Sequence, residues 1–397
     1  MEKSTNNVIL VLLDAFRGDY LSQENTPYLS DLSKKSAYVK RIKPSFGFCE
    51  RTEILTGKDS IESGYFTALG YDPQRSPYKR FRKILLVFSL IESVIFFSLL
   101  KKILRRVFWL IFRGFNGTFF PFNIPFRDLH LYSLTEDGED NHIITSDNSI
   151  YNIAKGVFFD ATTDMSKPLK GDDKKRLDLI LQNLENTSYQ FYPVYVSIMD
   201  FIGHHEGTKS QKTKESLRAL DDLLSKFITE ALAIDSKCTI ILCGDHGMID
   251  VSSSINLERL IDKFKKENSP IREFKYFLDS TLARFWFESD LDKMKLKGFL
   301  ESETVDFGIC ISSENYSDYK IPELRQYGDM VFLCHPGIII NPDFFHTDSN
   351  IRGMHGYPAN DEDSYGFCLT FQKEINPSTE EGPLTLKYVY ETIVKSF

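Results

Sequence analysis

Six side chains in this sequence have the types and settings that hold cations. Asp245 follows the apolar run CTIILCG, Asp14 follows VILVLL, and Asp200 closes PVYVSIMD. Histidines sit close behind: His204 in Asp200-Phe201-Ile202-Gly203-His204, His246 directly after Asp245, and His355 in Gly353-Met354-His355-Gly356-Tyr357. Three carboxylates and three imidazoles gathered at one edge repel or stay unsatisfied unless cations join them. Mixed Asp/His ligation suits zinc or manganese, and this many ligands is enough for two ions. Singly, each residue has a plainer use: Asp14 as a helix cap, His204 as a satisfied loop histidine, Asp245-His246 as a turn.

The elements that must position these groups are legible around them. The runs ending at Asp14, Asp200 and Asp245 are continuous and apolar, as expected of parallel strands buried on both faces, and the carboxyl ends of such strands are where open α/β sheets bind ligands. Helical spacing appears over 174–186 and over 215–232, where Leu217, Leu220, Leu223, Leu224, Phe227 and Ile228 share one face. Segment 256–329 alternates helix-like and strand-like pieces and reads as a small α/β cap insert. The expected organisation is an α/β core over 1–255 and 330–397, with a mostly parallel central sheet flanked by helices. It is interrupted by the cap insert and by a hydrophobic, basic helical insertion over 79–115.

That insertion differs from everything around it. It carries nine Lys and Arg against one acid, Glu92, so it is net +8 in a chain of net -8. Its apolar stretch 84–100 is at the lower limit for crossing a bilayer, and both flanks are basic, so no direction is favoured. A single crossing would also separate Asp14 from Asp200. The segment therefore reads as a helical hairpin lying in the interface of an anionic leaflet or dipping into it, with a lid packed on the domain as the plainer alternative.

The bulk composition narrows the function classes. A chain of 397 residues with 42% hydrophobic and 26% charged residues folds a sizeable core. Its acidity argues against a general nucleic-acid binder. Six cysteines show no C-x-x-C pair and no small disulfide framework. The apolar run before Asp14 is too short for a signal peptide, so the expected location is cytoplasmic with peripheral membrane association.

The motifs D-x-x-G-H, D-H-G-M and G-x-H-G-Y, in that order, resemble the alkaline phosphatase superfamily, and most of all its nucleotide pyrophosphatase/phosphodiesterase branch. They bracket the chain from residue 8 to about 360. The resemblance implies that Asp200, His204 and His355 hold one divalent metal and Asp14, Asp245 and His246 a second, zinc first and manganese as the alternative. Two ions roughly 4 Å apart would clamp the attacking and leaving oxygens of an in-line displacement at phosphorus. The implied activity is a phosphodiesterase or pyrophosphatase acting on a lipid-linked or nucleotide-type phosphodiester at the membrane surface. A phosphotransferase with the same metals and a metal-binding scaffold without catalysis are the alternatives, and a sulfatase is less well matched.

The nucleophile is the point of departure from that family. Pro44, Phe48 and Thr56-Gly57 match its pattern, and the position of its nucleophilic threonine then falls on Gly47, which has no side chain. Arg51 coincides with an arginine of the related sulfatases. Ser45, Cys49 and Thr52 are candidate substitutes. Cys49 is preferred, because a thiol beside a helix start, metal ions and Arg51 would be largely thiolate. The plainer reading makes Cys49 a small buried residue. Attack without a covalent enzyme intermediate is a third possibility. Glu50 stands where the family has an asparagine, and a carboxylate there would repel a phosphate. Outside the six ligand positions, His205 and His335 read as surface or supporting groups, His346 as a group near substrate, and Arg284 and Trp286 as shapers of specificity.

Overall fold

The computed structural model describes residues 6–115, 119–135, 143, 146–158, 173–186, 188–346 and 350–397. They divide into two compact units: residues 1–63, 140–251 and 351–397 form the first, and residues 64–139 and 252–350 the second.

The first unit is built on a mixed seven-stranded sheet. Its strands run in the order Ser378–Glu380, Ala37–Lys43, Gly366–Phe371, Thr239–Gly244, Val8–Leu13, Phe191–Val196, and Leu384–Thr385 also pairs with Ala37–Lys43. The three runs expected as strands are neighbours and parallel, with Leu13 opposite both Val196 and Gly244. Gly366–Phe371 is antiparallel to both of its neighbours, which makes the sheet mixed.

The unbroken apolar character of Val8–Leu13 has a direct cause. Ile9, Val11 and Leu13 enter a core with Leu217, Leu220, Leu224 and Phe227 of the helix Gln211–Ile234. Val8, Leu10 and Leu12 enter a second core with Leu386, Val389 and Ile393 of the helix Leu386–Ser396. Side chains alternate along a strand, so a strand covered on both faces needs apolar residues at every position.

One boundary differs from the sequence expectation. The strand expected to reach Asp200 ends at Val196, and Asp200 lies in the first turn of the helix Ile198–Glu206. The Asp173 carboxylate accepts the backbone N–H groups of Ser197 and Ile198, at 3.2 and 3.1 Å. That supplies an acceptor to helix-start donors that have no intrahelical partner.

The second unit contains a four-stranded antiparallel sheet, ordered Gly308–Ser312, Met330–Cys334, Leu282–Trp286, Lys275–Leu278, with the helices Leu257–Glu267 and Asp290–Glu303. It also contains the basic segment, which forms two helices, Arg82–Val94 and Ser98–Phe112. Ile95 and Phe97 take extended backbone angles and break the apolar run between them. The Glu92–Arg105 ion pair and the Phe88–Phe108 and Phe81–Phe112 ring contacts, at 5.0 and 4.7 Å, make the two helices an antiparallel hairpin. Among the described residues, no helix is long and apolar enough to cross a membrane.

Arg284 and Trp286 are structural, contrary to the specificity role expected of them. Arg284 is fully buried, donating to Asp279 at 2.9 Å and to Thr67 Oγ1 at 2.8 Å. Trp286 is buried, stacks on Tyr71 and donates its indole N–H to the carbonyl of Arg325. A buried guanidinium with this many partners pins the unit together and is not available to a ligand.

Candidate metal centre

All six sequence-derived ligands belong to the first unit, and the fold brings them together in two clusters. Asp200, His204 and His355 form one, half-buried. Asp14, Asp245 and His246 form the other, buried. Within each cluster the candidate ligand atoms lie within 4.8 Å of one another.

The sheet edge delivers the buried cluster. Asp14 and Asp245 leave parallel, in-register strands at the same end. Ala15, with φ of 54°, turns the chain sharply after Asp14, and its N–H reaches Asp245 Oδ1 at 3.3 Å. The same oxygen accepts the backbone N–H of His246 at 2.8 Å. The helix Ile198–Glu206 delivers Asp200 and His204, four residues apart and therefore on one face. His355 arrives through the short strand Gly353–Met354, which pairs with Ile249–Asp250 just beyond His246.

Two glycines make this approach possible. A β-carbon on Gly353 would sit 2.6 Å from the carbonyl oxygen of Gly203, and one on Gly203 would sit 2.9 Å from Cε of Met248. The glycine in each motif is thus what lets the helix and the strand touch. Their contact brings His204 Nδ1 to the carbonyl of Gly353 at 2.8 Å.

The ring orientations fit a cation. His204 and His246 each turn Nδ1 to a backbone carbonyl, Gly353 and Gly247, both at 2.8 Å. That contact fixes the tautomer and leaves Nε2 as an acceptor. Yet Nε2 of His204 faces Asp200 Oδ1 at 3.1 Å, and Nε2 of His246 faces Asp14 Oδ1 at 3.1 Å. His355 Nε2 adds a third approach, 3.5 Å from the same Asp200 oxygen. Acceptors held face to face at these distances require a positive charge between them, a proton or a metal ion. The residues fit a pair of divalent ions.

The electrostatics carry the same tension. Burial pushes Asp14 up to about 7, with the Asp200 charge adding to the effect. Burial likewise raises Asp245. Burial also opposes the charge on Asp200, but His204 and His355 overcome it and hold this carboxyl below the usual range. His246 resists charging through burial, but Asp245 and Asp14 raise it well above an ordinary imidazole. The Tyr195 hydroxyl donates to Asp14 Oδ2, a supporting contact that no sequence motif announced. It arises because Tyr195 and Leu12 are register partners on adjacent strands.

The SFGFCERT segment borders this site. The ring of Phe48 meets His355 edge-on at 5.8 Å, and His355 stacks on His246 at 4.1 Å. Cys49 precedes the helix Glu50–Thr56, is 1% exposed and lies 3.5 Å from the carbonyl of Phe46. Glu50 and Arg51 are buried in the first turn, and the Glu50 charge contributes to the field that raises His246. Ser45 is committed to Glu53, and Thr52 is fully buried. Gly47 has φ of 101°, a conformation in which any residue with a β-carbon is strained. The backbone at the position where the family's threonine is expected thus suits glycine.

The three further histidines singled out in the sequence have partners of their own. His205 is exposed and rests on Phe201. His346 joins Asp343 and Ser280 in the second unit, with Nδ1 at 2.8 and 2.9 Å from their oxygens. His335 lies 3.4 Å from the carbonyl of Val305.

The α/β sheet thus gathers Asp and His at its strand ends into two clusters that could each hold a cation. A model of the type I phosphodiesterase / nucleotide pyrophosphatase family matches residues 8–358, and the chain belongs to that family of phosphodiesterase and pyrophosphatase hydrolases. Human ectonucleotide pyrophosphatase/phosphodiesterase 5 is similar in fold, with a TM-score of 0.69 at 14% identity, covering 98% of this chain and 94% of that one. An inactive variant of the murine protein, in complex with AMP, matches with a TM-score of 0.66 at 16% identity and the same coverage. No curated protein sequence matches the chain.

Proposed function

We propose that the chain is a two-metal phosphodiesterase whose ions are held by Asp200, His204 and His355 and by Asp14, Asp245 and His246. The observation that supports it best is the meeting, in one unit, of acceptors that face one another from positions as far apart as 14 and 355. When bound, the metals supply Lewis-acid polarisation of the phosphoryl group and neutralise charge at the attacking and leaving oxygens. Zinc suits the mixed Asp/His donor set, and manganese is the alternative.

The chain's own residues do the positioning. Gly353 and Gly247 carbonyls hold His204 and His246 in one tautomer, Tyr195 fixes Asp14, and Phe48 limits the swing of His355. In hydrolysis an oxygen from water joins phosphorus, the bond from phosphorus to the leaving oxygen breaks, and that oxygen takes up the proton. Cys49 and Arg51 are the proposed catalytic pair, supported by their place next to Phe48, which touches His355, and on either side of Glu50, whose charge reaches His246. The burial of the thiol and the adjacent carboxylate both oppose a thiolate, so its use requires the substrate and ions in place.

A nucleotide-type phosphodiester is the first substrate class, supported by the family description and by the AMP bound to the murine neighbour. The lipid-linked alternative draws on the exposed apolar, basic hairpin, as does peripheral attachment to an anionic membrane. Six free cysteines agree with a reducing, cytoplasmic setting.

The test is hydrolysis of bis-p-nitrophenyl phosphate by metal-free protein reconstituted with Zn²⁺ or Mn²⁺. Turnover that returns with about two ions per chain supports the reading. Tight binding of less than one ion, with unchanged turnover, defeats it. In the same assay Cys49→Ala abolishes turnover if the thiol attacks phosphorus. If the variant retains the wild-type rate, Cys49 is not the nucleophile.

A further inference from the structure

Fifteen of the twenty-four exposed large hydrophobic side chains among the described residues fall between Ile84 and Phe115. Soluble surfaces scatter such residues singly, and a concentration of this kind marks an interaction face. The hairpin has one side that is used internally. Leu85, Phe108 and Phe112 are buried with Phe81 and Phe126, and Arg105 pairs with Glu92 while donating to the carbonyls of Phe122 and Ile124. The opposite side is open along both helices. Leu86, Leu90 and Val94 form its stripe on the first helix, and Leu99, Ile103 and Leu110 on the second. At the turn Phe96 and Phe97 are 92% and 72% exposed.

Charge decides what fits this face. Lys102, Arg106 and Arg113 follow one another at helical spacing beside the apolar stripe of the second helix, and Lys79, Arg80, Arg82 and Lys83 collect at the start of the first. Trp109 lies among them, with the Arg106 and Arg113 guanidinium groups 4.8 and 5.5 Å from its ring. A second copy of the chain is a poor occupant, because a two-fold contact would set this net +8 segment against itself. The helices are 13 and 15 residues long, about 20 Å each, and the hydrocarbon core is about 30 Å thick.

We propose that the hairpin lies flat in one anionic leaflet, with Leu90, Val94, Phe96, Phe97, Leu99 and Ile103 among the acyl chains and Lys102, Arg106, Arg113 and Trp109 at the phosphates. The inference rests on the peripheral-membrane part of the functional reading and adds to it the contact surface and its depth. A glycine-free apolar turn at the end of two amphipathic helices, with an arginine–tryptophan belt along one side, is what an interfacial hairpin needs.

The experiment is co-sedimentation of the full chain with vesicles of phosphatidylcholine, with and without phosphatidylglycerol. Binding is expected only when phosphatidylglycerol is present, and it should weaken as salt rises. Phe96→Asp with Phe97→Asp should lower partitioning by about tenfold or more, and Lys102→Glu with Arg106→Glu should abolish the preference for anionic vesicles. Trp109 fluorescence should be quenched by labels near the headgroups and not by labels at the bilayer centre, and Trp109→Phe should remove the response. Turnover of soluble bis-p-nitrophenyl phosphate, unchanged in the vesicle-binding variants, shows that they are folded. Binding that survives both aspartates overturns the contact surface alone. No binding to any vesicle overturns the membrane reading as well. A dimer in vesicle-free solution that Phe96→Asp dissociates assigns the face to a second copy and overturns the proposal.

Discussion

The metal-ligand clusters and the hairpin break opposite halves of one rule. At the clusters, charged groups are buried and meet acceptor to acceptor. On the hairpin, large apolar groups are exposed in a continuous band. Each arrangement is costly to the isolated chain, and each becomes favourable when a complementary group arrives, a charge for the first and an apolar surface for the second. For the clusters the proposed occupant is a small cation, and the surroundings are glycine-tight. For the hairpin the proposed occupant is a broad, fluid membrane surface, and the sequence there specifies only an apolar band and a basic flank. The clusters are defined by the positions of single atoms, and the hairpin by composition.

That contrast can be tested from its largest consequence to its smallest. Stripping the metals with a chelator, or changing His246→Ala, should lower phosphodiester hydrolysis on the order of a thousandfold, read as initial rates beside elemental analysis of bound metal. Arg105→Ala leaves the half-buried Glu92 without its guanidinium and the Phe122 and Ile124 carbonyls without their donor, and about 2–4 kcal/mol of stability should disappear in denaturant titration. Gly353→Ala drives a β-carbon into the Gly203 carbonyl, costing about 1–3 kcal/mol and weakening metal affinity. Gly203→Ala meets the flexible end of Met248 and should cost less than Gly353→Ala in the same titration. Leu90→Ser with Leu99→Ser, on the exposed band, should change stability in buffer by no more than about 0.5 kcal/mol. A large loss in that last pair would mean the band is part of the core, and the contrast would fail.

Much of this was legible before any coordinates. Strands buried on both faces show as unbroken apolar runs, and the one ending at Asp14 was located to the residue. The long helix could be read because Leu217, Leu220 and Leu224 repeat at its period. The end of the strand before Asp200 was not readable, since Ser197 and Ile198 turn there only because Asp173, distant in sequence, accepts their N–H groups. Arg284 misled for a related reason. An arginine in a cap segment looks available to an anion until its buried partners, Asp279 and Thr67, are seen. Tyr195 went unnoticed because a tyrosine within a strand carries no motif, and its use depends on the strand beside it.

The sequence by itself determined the ligand inventory, the family to which it belongs, and the division between an acidic chain and a basic apolar insertion. Those are properties of residue type and spacing, which survive without knowing where any atom lies. Only the tertiary structure decided which nitrogen of each histidine faces a carboxylate, which glycines allow the close approach, and that Cys49 is buried beside Phe48 and Glu50. These depend on distances between residues far apart in the chain, and a hydrogen bond or a steric contact is made or lost within less than an ångström.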